Sequence, residues 1–477
     1  MDGSVSRINE GKKSKVPDEY DIVIIGSGPG GYVGGIRASQ LGLKTCVIEK
    51  DEPGGVCLNT GCIPTKSLLH QAEIFMSRVE LEDMGVDVDI KYFDYQRVFR
   101  KSRKAVETLS KGVEYLLKKN NVSFIRGEAA LVSKNEVSIN DGRIVKGENI
   151  LIAAGSRPGE IPGFEFDEKY VLSSTGILSL KELPEKLLII GAGAVGCEFA
   201  CIMNAFGVET YLVEMEEHIL PAEDYETAEV VEKSFRRKKV TVMTKTRPVS
   251  MNKNSGKISV TLEKTGSAYE VIEVDKILVA AGRIPNIERI GLENAGITTE
   301  HGFIPVGDYY MTKIKGVYAA GDVTGPPFLA HLASKEAEIA VEYMAGRKTE
   351  PAVDPDAIPS GIYTAPQIGS FGVTEKKAKE IGVPYKKVVF PYRGIGKAVS
   401  VGKTEGIAKV IFDPETKEIL GAHIAGENAT ELIHEILLAK TSGLSPADIA
   451  SMIHAHPTLS ELVPEVMRAV YGRSIHF

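Results

Sequence analysis

Cys57 and Cys62 stand five positions apart in Gly54-Gly55-Val-Cys57-Leu-Asn-Thr-Gly61-Cys62-Ile-Pro64-Thr-Lys66. Two thiols this close, with glycines on both sides, can close a small disulfide ring and reopen it by thiolate exchange. Zinc binding is the main alternative, but it needs a second ligand pair at similar spacing. A structural disulfide is the other, and a reducing compartment disfavours it. Cys46 in a strand-like run, and Cys197 with Cys201 in a helical one, read as packing residues.

A second constellation is His454-Ala-His456-Pro457-Thr458-Leu-Ser-Glu461. A histidine titrates near neutrality, so it can take the proton that a dithiol must lose before its thiolate attacks a disulfide. Thr458-x-x-Glu461 is also a capping box, in which the glutamate serves backbone N–H groups at a helix start. The paired histidines could be part of a metal site, yet no third ligand is evident.

The elements that must position these groups repeat. The apolar run Asp21–Ile25 leads into Gly26-Ser-Gly28-Pro-Gly30-Gly31, a helix-compatible stretch, and a second strand ending in Glu49. Lys186–Ile190 leads likewise into Gly191-Ala-Gly193-Ala-Val-Gly196, and the strand Glu209–Val213 ends in Glu214. Strand, glycine turn, helix, strand and acid is the order of a dinucleotide-binding unit. Gly26 and Gly191 permit the tight turn, Gly28 and Gly193 admit a pyrophosphate, and Gly31 and Gly196 let helix and strand close up. Glu49 and Glu214 are placed for a ribose 2′-hydroxyl. Leu151–Pro158 and Leu278–Pro285 echo each other as strands stopped by glycine and proline. The first half is the longer one, and its extra length carries the cysteine pair. Gly34 and Gly35 sit where better helix formers are expected, which suits close helix packing.

The stretch GGVCLNTGCIPTK, directly after a dinucleotide unit, resembles the redox signature of the flavoprotein disulfide reductases. The resemblance runs from about residue 19 through nearly the whole chain and is strongest to members that oxidise dihydrolipoamide. It implies FAD at the first glycine turn and a nicotinamide cofactor at the second. It implies a Cys57–Cys62 disulfide, with Cys62 against the flavin and Cys57 exchanging with substrate. Lys66 matches a lysine at the flavin, and Glu198 its carboxylate partner. Asp322, in Val317-Tyr-Ala-Ala-Gly321-Asp322, matches a residue bonding the ribityl chain; Phe328, Leu329, Ala330 and His331 border the ring. The cofactor-binding set also takes in Gly127, Gly155, Ser156 and Gly282. His456 matches the catalytic base and Glu461 the carboxylate that orients it; His454 reads as packing. Glu214 favours NAD over NADP, since a carboxylate accepts from a 2′-hydroxyl and repels a 2′-phosphate.

The expected fold class is α/β: two Rossmann-like dinucleotide-binding units and an α+β C-terminal dimerisation domain. Residues 1–18 form a flexible extension without an apolar signal core, 19–158 the first part of the FAD domain, and 159–284 the NAD domain. Residues 285–353 are the second part of the FAD domain, and 354–477 the interface domain. The implied partners are a second copy of the chain and lipoyl-bearing subunits of 2-oxoacid dehydrogenase complexes or a glycine-cleavage carrier protein. Another NAD(P)H disulfide reductase and a non-catalytic flavin redox sensor are the alternatives. The formal net charge of −7, with no basic block, argues against nucleic acid. No apolar run approaches the roughly 20 residues of a membrane helix. Five cysteines in 477 residues do not make a secreted disulfide scaffold, so a cytoplasmic setting is expected.

Overall fold

The computed structural model describes residues 18–254, 256–266 and 269–477. The expected extension at 1–18 therefore lies, apart from Asp18, outside the described residues. Among the described residues no helix is long and apolar enough to cross a membrane. The chain is α/β, with two Rossmann-like units followed by an antiparallel α+β unit.

The first unit is built on a seven-stranded sheet. Its parallel centre joins Ser123–Arg126, Thr45–Glu49, Asp18–Ile25 and Ile144–Ile152. The core strands are near-continuous apolar runs because helices cover both faces of a parallel sheet; Ile22, Val23 and Ile24 are wholly buried. Ile144–Ile152 is longer than the sequence reading suggested. Its first half pairs antiparallel with Glu136–Ile139, and its last residues pair parallel with Val317–Ala319. That short strand comes after the second unit, so the chain returns to complete its first sheet.

Helix Pro29–Gln40 packs against the later helix Ala330–Met344. Gly34 lets it approach that helix closely, and Gly35 lets it approach the sheet. A Cβ at Gly34 would lie 3.1 Å from the Ala337 Cβ, and one at Gly35 would lie 2.8 Å from a Val47 methyl.

The second unit repeats the plan on five parallel strands in the order Thr241–Met243, Glu209–Val213, Lys186–Ile190, Lys276–Val279, Val171–Leu172. An antiparallel ribbon, Ser156–Pro158 against Arg283–Pro285, ties the ends of the two units together. The C-terminal unit is a five-stranded antiparallel sheet covered by helices Ala429–Thr441 and Leu462–Ala469. A buried lysine fastens it to the second unit: Lys409 Nζ lies 2.8 Å from Asp224 and 2.5 Å from Glu226 of that unit, and 3.0 Å from Glu375 of its own.

Candidate active site

The two glycine turns have the same local geometry. A Cβ at Gly31 would sit 1.9 Å from the Gly26 carbonyl oxygen, and one at Gly196 would sit 1.9 Å from that of Gly191. Gly28 and Gly193 instead face open space and cap helices of 12 residues each with no side-chain hydrogen bond. The first-turn N–H groups are thus left free for an anion, aided by the helix dipole. Each acid holds its turn in shape. Glu49 accepts from the Ser27 backbone N–H and hydroxyl, both at 2.8 Å, and from Asp51 N–H at 2.9 Å. Glu214 accepts from the N–H groups of Ala192 at 2.8 Å and Glu216 at 3.0 Å. A carboxylate has about four acceptor positions, so both retain capacity for ribose hydroxyls.

The cysteines lie where the short helix Gly55–Thr60 meets the helix Cys62–Met76. The loop is seated directly on the first glycine turn: Gly54 N–H donates to the Ser27 carbonyl at 3.1 Å. Asn59 pins it from within, its amide donating to the carbonyls of Pro53 at 3.0 Å and Gly55 at 2.9 Å. Both sulfurs are free thiols, so the expected disulfide is not formed in this structure. The two are unequal. A hydrogen bond from the Cys57 thiol, together with the Lys66 ammonium, brings Cys62 down to about 7 against the effect of burial. The same hydrogen bond, and then burial, push Cys57 well above the ordinary thiol range. Cys46, by contrast, is pushed up to about 12 by burial in its strand.

Lys66 is on the redox helix one turn beyond Cys62. Its Nζ lies 2.9 and 2.8 Å from the two carboxylate oxygens of Glu198, which is almost fully buried on the helix after the second glycine turn. Burial pulls the Lys66 ammonium down, but the Glu198 carboxylate more than offsets it and leaves Lys66 raised. Tyr363 completes this group from the C-terminal unit. Its N–H donates to Glu198 at 3.1 Å, and its ring lies 4.6 Å from the lysine nitrogen.

Gly28, Glu49, Cys57, Cys62, Lys66 and Glu198 line one cavity of about 1050 Å³. Gly127, Gly155, Ser156, Asp322, Phe328 and Ala330 also line it. Ser156 donates to Asp322, and Arg283 donates to the Ser156 hydroxyl at 2.7 Å. The remaining predicted residues lie elsewhere. Leu329 caps the helix Ala330–Met344. His331 is exposed, with its Nε2 2.7 Å from the Pro359 carbonyl. Gly282 accepts from Gly159 N–H at 3.0 Å in the ribbon between the units. Of the second glycine turn Val195 reaches the cavity, whereas Gly191, Gly193, Gly196 and Glu214 are not part of its lining.

His456 and Glu461 are also outside this cavity. His456 Nδ1 lies 2.9 Å from one Glu461 oxygen, while the Thr458 N–H donates to the other at 2.9 Å. The capping and orienting roles coexist in one carboxylate. Burial raises Glu461, but the bonds from His456 and Thr458 win and hold it below the usual range. The His456 side chain is 74% exposed, so its Nε2 edge is open to another molecule. His454 is buried against Glu435, at 2.7 Å. Among the described residues no cluster of three His, Cys, Asp or Glu could hold a metal ion.

Residues 20–337 match the family model described as pyridine nucleotide-disulphide oxidoreductase, and residues 358–467 match the dimerisation domain of the same family. The chain belongs to the pyridine nucleotide-disulphide oxidoreductase family. It is 41% identical to dihydrolipoyl dehydrogenase 1, mitochondrial, of Arabidopsis thaliana, over 98% of this chain and 94% of that protein. It is 40% identical to dihydrolipoyl dehydrogenase of Bacillus subtilis, over 96% and 99%. Among solved structures it resembles LpdA from Mycobacterium tuberculosis with a TM-score of 0.87, covering 95% of this chain and 99% of that one. At 24% identity that likeness speaks for the fold alone.

The cofactors of this oxidoreductase family are FAD and NAD, and the residues fit two dinucleotides. The open faces of Gly28 and Gly193 are the places where a side chain would obstruct a pyrophosphate. The elongated cavity beside the cysteines is large enough for the bigger of the two. Three residues around this oxidoreductase site were not singled out from the sequence. Tyr363 lies in another unit from the residues it touches. Arg283 had a signal, since it follows the glycine of the echoed Ala-Ala-Gly segment. Glu336, accepting from Gly321 N–H at 2.6 Å and pushed up to about 7 by burial, is hidden in an ordinary helical pattern.

Proposed function

We propose that this chain oxidises protein-bound dihydrolipoyl lysine to lipoyl lysine and reduces NAD⁺, acting as a dihydrolipoyl dehydrogenase. The observation that carries the reading is the pair of thiols, Cys57 and Cys62, in one cavity with the Lys66–Glu198 ion pair. A substrate thiolate attacks Cys57 of the oxidised pair, the sulfur–sulfur bond breaks, and Cys62 departs as the better leaving thiolate. The second substrate thiol then displaces Cys57, which releases lipoyl disulfide and leaves both cysteines reduced. His456 accepts the proton of the first substrate thiol, hands it to Cys57 as that sulfur is displaced and takes the proton of the second thiol, and Glu461 holds the imidazole and stabilises its charged form. What FAD supplies when bound is two-electron transfer between the dithiol and NAD⁺. Lys66 keeps Cys62 ionised at the cavity wall, and Glu198 keeps Lys66 there.

The working form is a homodimer. His456 is exposed and lies outside the cavity of its own chain, and the dimerisation-domain match spans it; both support a base that serves the cysteines of the other copy. The first-unit residues that line the cavity hold FAD, and Gly191, Gly193, Gly196 and Glu214 hold NAD. Lipoyl-bearing subunits of 2-oxoacid dehydrogenase complexes, or a glycine-cleavage carrier, supply the substrate arm. The setting is cytoplasmic. The test is an assay of the FAD-loaded protein with dihydrolipoamide, comparing NAD⁺ with NADP⁺. Turnover at least about tenfold better with NAD⁺ is expected, a difference of about 1.4 kcal/mol. No turnover of the dithiol with either nucleotide overturns the reading.

A further inference from the structure

The segment that follows Glu214 returns to the second glycine turn before it enters the helix Tyr225–Arg237. Glu214 accepts from the Ala192 N–H at 2.8 Å, and farther along the Leu220 N–H donates to the Ala192 carbonyl at 2.7 Å. One residue of the turn is thus held at both its backbone polar groups by a single segment. Leu220 is buried, and its backbone is left-handed with φ at +52°, a conformation that a leucine keeps only where its surroundings impose it. The Glu223 N–H donates to the Leu220 carbonyl at 2.9 Å, and Glu223 and Asp224 are in turn fastened to the C-terminal unit. Glu223 accepts from the hydroxyls of Ser360 at 3.0 Å and Ser370 at 2.7 Å, which are paired across two strands of the C-terminal sheet. Asp224 accepts from Lys409 Nζ at 2.8 Å and from the Glu375 N–H at 3.1 Å, while it caps its own helix through the Glu226 N–H at 3.1 Å. Burial pulls the Lys409 ammonium down, but Asp224, Glu226 and Glu375 outweigh it and leave it raised.

We propose that Lys409, Ser360 and Ser370 are positioning residues for NAD: by fastening Glu223 and Asp224 they hold residues 214–224 closed on the second glycine turn. The unit that matches a dimerisation domain then has a second task. It keeps Glu214 and the Ala192 peptide in place before the nucleotide arrives. Freed of these anchors, the segment must be ordered anew each time NAD binds, and ordering about one residue costs on the order of tenfold in affinity. That role rests on Glu214 and the second turn holding the adenosine half of NAD, so the cost falls on that half and spares the nicotinamide.

The probe is ADP-ribose, which carries the adenosine half and has no nicotinamide to react. Its binding to the FAD-loaded protein is measured by calorimetry for the wild type, Lys409→Met, the pair Ser360→Ala with Ser370→Ala, and Gly196→Ala. Two rates of flavin reduction are read alongside, one by dihydrolipoamide and one by reduced nicotinamide mononucleotide, which lacks the adenosine half. Lys409→Met raises the Kd for ADP-ribose about tenfold and the serine pair raises it by a smaller factor, while both rates stay at the wild-type value. Lys409→Met strips three carboxylates of their cation; where that variant does not fold, the serine pair, which leaves the cluster intact, decides. A Kd within about twofold of the wild-type value in every variant that folds overturns the role of the anchors. So does a loss that both flavin-reduction rates share, since that marks a general disturbance of the fold. Gly196→Ala with unweakened ADP-ribose binding overturns the placement of NAD at this turn instead.

Discussion

Lys66 and Glu198 join the two nucleotide units through both carboxylate oxygens, at 2.9 and 2.8 Å. The charge that keeps Cys62 low is thus carried by one unit and anchored by the other. Any change that separates the units also changes the chemistry of the sulfur.

Lys66→Met tests that link. Cys62 loses one of the three influences that lower it, so its ionisation moves up from about 7. Glu198 is left buried without its cation, a loss of about 3 kcal/mol in stability. Denaturant unfolding reads the second effect, and the thiolate absorbance of the reduced enzyme against pH reads the first.

The cysteine inequality has its own consequence. Because Cys62 titrates near 7 and Cys57 well above the usual range, the reduced pair releases one proton as pH rises through neutrality and keeps the other. Cys57→Ser puts a hydroxyl, a stronger donor than a thiol, beside Cys62, so the step near 7 does not move up. Dihydrolipoamide oxidation is abolished, while the flavin absorbance stays. Loss of the flavin in this variant would contradict the placement of Cys57 on the substrate side.

Glu461 serves two donors, and substitutions separate them. Glu461→Gln keeps an acceptor for the Thr458 N–H but loses the charge facing His456. We expect dithiol oxidation to fall by roughly a hundredfold with thermal stability little changed. Glu461→Ala loses the cap as well and destabilises by about 1 kcal/mol more. Stopped-flow reduction of the enzyme by dihydrolipoamide and calorimetry give the two readings.

The glycine turns predict a clean division between cofactors. Gly31→Ala drives a methyl into the Gly26 carbonyl, so the purified protein is expected to lack FAD. Gly196→Ala makes the same collision at Gly191, and here the yellow protein survives while KM for NAD⁺ rises at least tenfold, about 1.4 kcal/mol. Flavin loss in the second variant would show that the two turns are not independent.

What could be read from the residues alone was whatever the backbone needs locally. Paired glycines, a strand before them and an acid after them follow from the geometry of one turn, so both units were legible. The HAHPTLSE run was legible for a similar reason, although spacing could not show that Glu461 would cap and orient together. Contacts made across units left no periodic trace. Tyr363 reaches Glu198 from the third unit, and Glu435 reaches His454 from a helix whose pattern announces only amphipathicity. The length of Ile144–Ile152 was underestimated because its two halves pair with different strands, one antiparallel and one parallel.

Val317–Ala319 completes a sheet begun three hundred residues earlier in the chain, by about that count. During synthesis the ribosome must therefore deliver the entire second unit before the edge at Ile150–Ile152 and the glycine face of Pro29–Gln40 meet their partners. Until then apolar surface stays uncovered, the condition in which nascent chains call on chaperones. A fragment that stops short of Ala330 carries every glycine of the first turn and still lacks the helix that closes over it.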